Sequence, residues 1–296
     1  MHTGGRHVQY YLVATTFSKP TSPQAQYSTI RMFHAAQLTR KHLVSPSVML
    51  LELNVPSLQT FHPGQWVDFV VPECDWVGGF SIASSPIILP KVHLAIKKSN
   101  AIPSSWVHRD AVVGAEINVR VGGSCTLKEE ENDIHKPAIF CAGGIGISPM
   151  IGVYRQYLAL RRRKQVNTPQ AMFLYSVSSE EELVFGTELL ALFNNKSEGT
   201  RTRTDHMCEA TDRMVFTLTQ EQWNLERNVL IFGGKDNENT NGIELKTGRI
   251  LKSFLDDAPK DGTFYICGPP AMNNDAVSHL KEKGITSDRI RYEKWW

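Results

Sequence analysis

At Ala138 the texture of this 296-residue chain changes, and that change limits what it can fold into. Before it, apolar runs are short and are separated by Pro, Gly and Ser: 48–54, 65–71, 80–83, 92–96 and 116–121. Short runs in succession, without long helical segments between them, predict an antiparallel barrel or sandwich. After it, strand-like runs at 138–142, 171–177, 214–218, 264–267 and 290–292 alternate with helical ones at 187–193, 248–255 and 270–283. A helix opened by Pro149 places Met150, Val153, Tyr154, Tyr157 and Leu158 on one face. Alternation of this kind predicts a parallel, doubly wound sheet with helices on both faces. The charged stretch 128–136 reads as the linker, giving a β-barrel over 35–133 and an α/β domain over 134–296.

The 34 residues ahead of the barrel behave differently. Residues 1–51 carry Arg6, Lys19, Arg31, Arg40 and Lys41 but no acid, so the net charge of +2 hides a basic leader and a mildly acidic body. Rich in Ser, Thr and Gln and punctuated by Pro20 and Pro23, the leader has too little apolar content to bury itself, and is expected to be a mitochondrial-type presequence. A disordered tail is the alternative. No run approaches the roughly 20 apolar residues of a membrane-spanning helix. The five cysteines, Cys74, Cys125, Cys141, Cys208 and Cys267, are odd in number and scattered. They predict neither a disulfide framework nor a metal site. The basic run Arg161-Arg162-Arg163-Lys164 suits the C-terminal end of a helix dipole, so no nucleic-acid partner is expected.

Three segments point to chemistry. Cys141-Ala142-Gly143-Gly144-Ile145-Gly146-Ile147-Ser148-Pro149 joins a strand to a helix. Glycines at such a junction let the backbone approach a diphosphate, and the free N–H groups of the helix start attract its charge. Tyr265-Ile266-Cys267-Gly268-Pro269-Pro270-Ala271-Met272 lies at the end of a later strand, where open α/β sheets place their ligands. Gly78-Gly79-Phe80-Ser81-Ile82-Ala83-Ser84-Ser85-Pro86, preceded by Pro63-Gly64-Gln65-Trp66-Val67, sets an aromatic beside a hydroxyl in the barrel half. Each has a structural reading too: a ligand-free turn, a buried packing thiol, an ordinary strand with a Ser-rich turn.

In this order the segments resemble the ferredoxin reductase-like flavoprotein family, from about His34 to the C-terminus. The resemblance implies a Greek-key barrel of the FAD-binding type before the NAD(P) domain, with NAD(P)H and FAD as cofactors. It implies Phe80 on the isoalloxazine and the Ser81 hydroxyl at flavin N5. It implies the FAD diphosphate against 102–106, with Ser104 or Ser105 supplying a hydroxyl, and the dinucleotide on Gly143, Gly144, Ile145, Gly146, Ile147 and Ser148. Cys267, with Gly268 and Pro269, falls on the hydride path, Glu293 near the flavin, and Trp295 or Trp296 over its face. Ser81, Cys267 and Glu293 are the residues expected to act in catalysis.

The chain departs from the family pattern at one point: Gly78 stands where an arginine is expected, and Phe80 where a tyrosine is. Loss of a bidentate cation predicts weaker hold on the FAD diphosphate. Arg109 is the candidate substitute. The function expected is hydride transfer from NAD(P)H to FAD and then to an unidentified acceptor; the alternative is a nucleotide-binding protein that has lost its flavin. Glu180-Glu181-Glu182 after the 171–177 run would repel a 2′-phosphate, so NADH is expected over NADPH.

Overall fold

The computed structural model describes residues 32–72, 74, 76–127, 133–164, 171–197, 212–224 and 242–294. Nearly all of the leader, Cys208 and the two terminal tryptophans therefore lie outside the described residues. The first sheet is built from β1 (His34–Leu43), β2 (Val48–Asn54), β3 (Trp66–Val70), β4 (Val77–Ser81), β5 (Lys91–Lys97) and β6 (Glu116–Gly122). Its spatial order is β4-β3-β6-β1-β2-β5, every neighbouring pair antiparallel. A bridge from Ile82 to Leu94 brings the two edges together and curls the sheet toward closure. Alternation along the strands sends Leu38, Leu51, Leu53, Val67, Phe69, Leu94 and Val119 inward, where Val107 of helix α1 (Ile102–Arg109) joins them. Each such side chain contributes roughly 1.5–3 kcal/mol on burial.

The second sheet contains β7 (Ala138–Gly143), β8 (Ala171–Val177), β9 (Arg213–Leu218), β10 (Ile243–Thr247), β11 (Thr263–Gly268) and β12 (Ile290–Lys294). Its order is β10-β9-β8-β7-β11-β12, all parallel. Helices α2 (Ile147–Lys164) and α3 (Gly186–Ser197) accompany its first half, and α4 (Leu251–Asp256) and α5 (Pro270–Glu282) its second. β7 and β11 are buried at every residue, as a sheet covered on both faces requires. One face packs on α4 and α5 through Ile139, Cys141, Phe264 and Ile266. The other carries Phe140 stacked between Phe173 at 5.5 Å and Tyr265 at 5.2 Å. The core on that face runs on into the barrel through Val48, Ala83 and Ala95.

The chain winds outward from β7 through β8, β9 and β10, then returns to β11 on its other side. That reversal opens a crevice beyond the carboxyl ends of β7 and β11, the place where such sheets bind ligands.

Several expected elements shift. The 80–83 run is a strand over Val77–Ser81, and the 248–255 helix begins at Leu251. Segment 102–106 is the start of helix α1. β1 and β10 are strands that the apolar pattern does not announce: β1 fully buries only Ala36 and Leu38, and β10 only Ile243.

Candidate functional site

The glycine-rich segment leaves β7, makes one tight turn over Gly144–Gly146 and enters the 18-residue α2. Its glycines have two jobs. A Cβ on Gly146 would lie 2.1 Å from the Cys267 carbonyl oxygen, and one on Gly143 would lie 2.4 Å from Met272 Sδ. These two glycines let the turn pack directly on the Cys267–Pro269 segment. Gly144 is different: at φ +52° it adopts the left-handed conformation, and a Cβ there would meet nothing within 4 Å. Its backbone faces open space at the helix start. Ser148 Oγ, buried in the first turn of α2, has no hydrogen-bond partner. An open glycine backbone and an unpartnered hydroxyl at a helix N-terminus fit an anionic diphosphate. Ile147 and Ile145 serve packing instead, Ile147 fully buried in the core and Ile145 resting against it.

Register aligns the expected reactive residues into two rows. Across the parallel sheet, Cys267 pairs with Ala142 on one side and Glu293 on the other. Across the barrel, Trp66 pairs with Ser81 on β4 and with Gly122 on β6. The rows meet where the Trp66 indole N–H donates a hydrogen bond to the Glu293 carboxyl. The indole lies along Gly122 and Gly123, whose absent side chains make room for it: a Cβ on Gly123 would sit 2.7 Å from Trp66 Cδ1 and 3.4 Å from Glu293 Oε1. Asn273 of α5, itself fully buried, fixes the backbone of the same residue by donating Nδ2–H to the Glu293 carbonyl at 2.7 Å.

Glu293 Oε2 is buried without a partner. Burial pushes the carboxyl from the ordinary 4.5 up to about 8, against the opposing pull of the Trp66 hydrogen bond. Its neighbours are two buried thiols. Desolvation drives Cys267 well above its usual range, with Cys125 and Glu293 adding to the shift, and it drives Cys125 the same way. Arg291, two residues before Glu293, gives Nη1–H to Thr126 O at 3.1 Å and to Tyr265 Oη at 3.0 Å. At neutral pH the junction therefore holds neutral thiols and a protonated carboxyl. The Pro63-Gly64-Gln65 segment fastens this region: Gln65 Nε2 donates to Gly123 O at 3.2 Å, and a Cβ on Gly64 would lie 2.1 Å from Cys125 O.

The barrel's other expected ligands are placed differently. Phe80 pairs with Val67 and turns its ring edge-on to Phe69 at 5.5 Å, whereas Ser81 shares the opposite face with Trp66. Ser104 points inward, its Oγ donating to Lys97 O at 2.8 Å and accepting from Ser99 N at 2.9 Å. Ser105 Oγ accepts from Arg109. The acidic turn Glu180–Glu182 also divides. Glu182 reaches across to the barrel, accepting from Ser47 Oγ at 2.6 Å with Lys97 at 3.9 Å, and Glu180 accepts from Asn224 N. Trp66, Gly123, Cys125 and Asn273 were not singled out by sequence. The Pro-Gly-Gln-Trp segment was the only available pointer to any of them.

These two sheets, with the crevice between them, define the architecture of FAD- and NAD-binding ferredoxin reductase-like oxidoreductases. An Amycolatopsis cytochrome P450 reductase superposes with a TM-score of 0.69 at 20% identity, covering 89% of this chain and 69% of that one. A Neisseria gonorrhoeae ferredoxin NADP+ reductase with bound FAD and NADP gives 0.65 at 19%, covering 88% and 98%. No family model matches the chain. The oxidoreductase NAD-binding domain-containing protein 1 of Pongo abelii is 31% identical over 306 residues, spanning 98% of this chain and 89% of its own length. The human protein of that name is 30% identical over the same shares. The chain belongs to the oxidoreductase NAD-binding domain-containing protein 1 family.

Proposed function

We propose that the protein oxidises a reduced nicotinamide dinucleotide, NADH by preference, at the junction of its two sheets, and delivers the electrons through a flavin to a separate acceptor. The observation that carries this is the meeting of the two rows, Ser81 and Trp66 from the barrel with Cys267 and Glu293 from the parallel sheet, beside the open Gly144 turn. A flavin bound there supplies a two-electron acceptor for hydride and hands the electrons on.

The protein's own residues do the positioning. Gly144 and Ser148 hold the dinucleotide diphosphate, which fixes how far the nicotinamide extends along β11. The neutral Cys267 thiol packs without placing a charge near the transferring hydride. Ser81 offers a hydroxyl at the barrel face, and Glu293 holds a proton on its unpartnered oxygen. Support for NADH is the acidic turn at the end of β8. Glu181 is its exposed member, while Glu182 accepts from Ser47 and Glu180 from Asn224.

The test is NADH oxidation by purified protein supplied with flavin and an artificial one-electron acceptor. Saturable turnover that falls at least tenfold in Gly144→Val supports the proposal, and turnover no faster than free flavin gives sinks it. A second reading, nucleotide binding without turnover, is favoured by Gly78, over which Pro103 is packed.

A further inference from the structure

We propose that Arg155 of α2 is a positioning residue for the hydride step: it ties the barrel segment that follows Ser81 to the helix that opens at the glycine turn, so that one helix sets both halves of the site. This deepens the reading above and rests on it. The helix begins where the open Gly144 backbone and the Ser148 hydroxyl lie, and its middle rests on the barrel. A Cβ on Gly152 would stand 3.7 Å from Ile82 O and from Pro63 Cβ and 3.8 Å from Ser84 O. One on Gly64 would come within 2.9 Å of Val153 Cγ2. Gly152 and Val153 thus lie against both barrel segments that lead into the site, 63–66 and 81–84, and Ala83 shares a buried cluster with Met150, Val153 and Tyr154.

Arg155 is the polar part of this contact. Its Nη1–H donates to the Ala83 carbonyl, while Nε–H, at 2.7 Å, and Nη2–H both donate to Glu188 Oε1 of α3. Within the barrel, Ile82 N donates to Gln65 O and Ala83 N to His93 O, each at 2.9 Å, and Ser84 Oγ accepts from His93 N at 3.1 Å. These bonds fix 82–84 to the strands beside it, and the Arg155 bond carries that placement across to the parallel sheet. A planar guanidinium holds its donors in fixed directions, so the carboxylate on one side aims the remaining N–H at the carbonyl; an ammonium cannot hold both in one geometry. The pair is partly solvated, with the Arg155 side chain 20% and the Glu188 side chain 41% exposed. Solvated ion pairs stabilise a fold little, so the consequence of this one lies in alignment. Misplacing reacting groups by about 1 Å is enough to slow a transfer roughly a hundredfold.

Two readouts on the full chain test this, the first without flavin. Hydrogen exchange followed by mass spectrometry should show peptides covering 81–84 exchanging roughly fivefold faster in Arg155→Ala and Arg155→Lys than in wild type, with the rest of the chain little changed. Anaerobic mixing of the flavin-supplemented protein with NADH, in which hydride passes to the flavin and NAD+ is left, gives the second. The limiting rate at saturating NADH should fall roughly tenfold or more in both variants, with the NADH dissociation constant held within about threefold. Arg155→Lys carries the test if Arg155→Ala does not fold. Unchanged exchange at 81–84, exchange accelerated throughout the chain, an unchanged limiting rate, or a loss confined to NADH affinity would overturn the inference. Wild-type protein that does not reduce flavin with NADH would instead overturn the reading above, and this inference with it.

Discussion

The indole N–H of Trp66 on β3 donates to the carboxyl of Glu293 on β12, joining the barrel to the parallel sheet at the point where both rows of site residues end. The contact exists because Gly122 and Gly123 carry no side chains to displace the indole, and because Asn273 anchors the Glu293 backbone from the helix behind. It leaves one carboxyl oxygen held and the other buried without a partner. A carboxyl so placed resists ionisation, and its proton is available to whatever occupies the crevice.

Trp66→Phe keeps the aromatic volume and removes the donor. That donor favours the charged form, so its loss raises the Glu293 pKa further, by roughly half to one pH unit for a hydrogen bond worth ~1 kcal/mol. Infrared titration of the buried carboxyl band checks this. A pKa that stays put or falls means that the indole does not hold the carboxyl.

Glu293→Gln should change the pH dependence of stability. The carboxyl titrates near 4.5 when unfolded and near 8 when folded, so ionisation favours the unfolded chain progressively as pH rises between those values. Wild type and variant should melt alike in acid. Above the folded pKa the variant should be the more stable by roughly 2 kcal/mol, a figure reduced for the residue's partial exposure. Equal melting curves at alkaline pH would place Glu293 in solvent.

The glycine loop should separate into structural and ligand-facing positions. Gly146→Ala drives a Cβ to 2.1 Å from the Cys267 carbonyl oxygen and should lower thermal stability sharply. Gly144→Ala meets no atom and carries only the strain of a left-handed backbone, about 1–2 kcal/mol. Gly144→Val should remain folded while its dinucleotide affinity falls at least tenfold. Calorimetry of the folded variants with NADH decides it, and an undiminished affinity removes the loop from the binding site.

The change of texture at Ala138 made both sheets legible, because each strand buried on both faces, such as β7 and β11, must be an uninterrupted apolar run. β1 and β10 escaped notice because sheet neighbours complete them: Gln37 and Arg40 lie against Asn54 and Glu52 on the exposed side, leaving little apolar pattern to read. At the site, Cys267 and Glu293 were found by their place after a strand and within the last one. Trp66 gained its role from a partner in the other half of the chain, which no local pattern encodes. Ser104 was misplaced for a related reason: a serine at a helix start faces ligand or interior with equal ease, and here the free Lys97 carbonyl draws it inward.

NADH should bind more tightly than NADPH at matched ionic strength. Exposed Glu181 repels a 2′-phosphate near the end of β8, while Glu182 is turned to Ser47 and adds less than three clustered charges would. The expected preference is accordingly modest, about twofold to fivefold, of the size of one screened charge contact. Competition of the two dinucleotides for one site, repeated in Glu181→Gln, measures it. Tighter binding of NADPH would show that cations from elsewhere in the chain line the ribose.

The central claim, that reduced nicotinamide and flavin meet at the Ser81, Cys267 and Glu293 junction, is tested most directly by anaerobic mixing of the flavin-supplemented protein with NADH while the visible flavin band is followed. The account predicts saturable bleaching far faster than that of free flavin, slowed at least tenfold by Gly144→Val. Intact flavin absorbance, with both NADH and flavin shown to be bound, would contradict it.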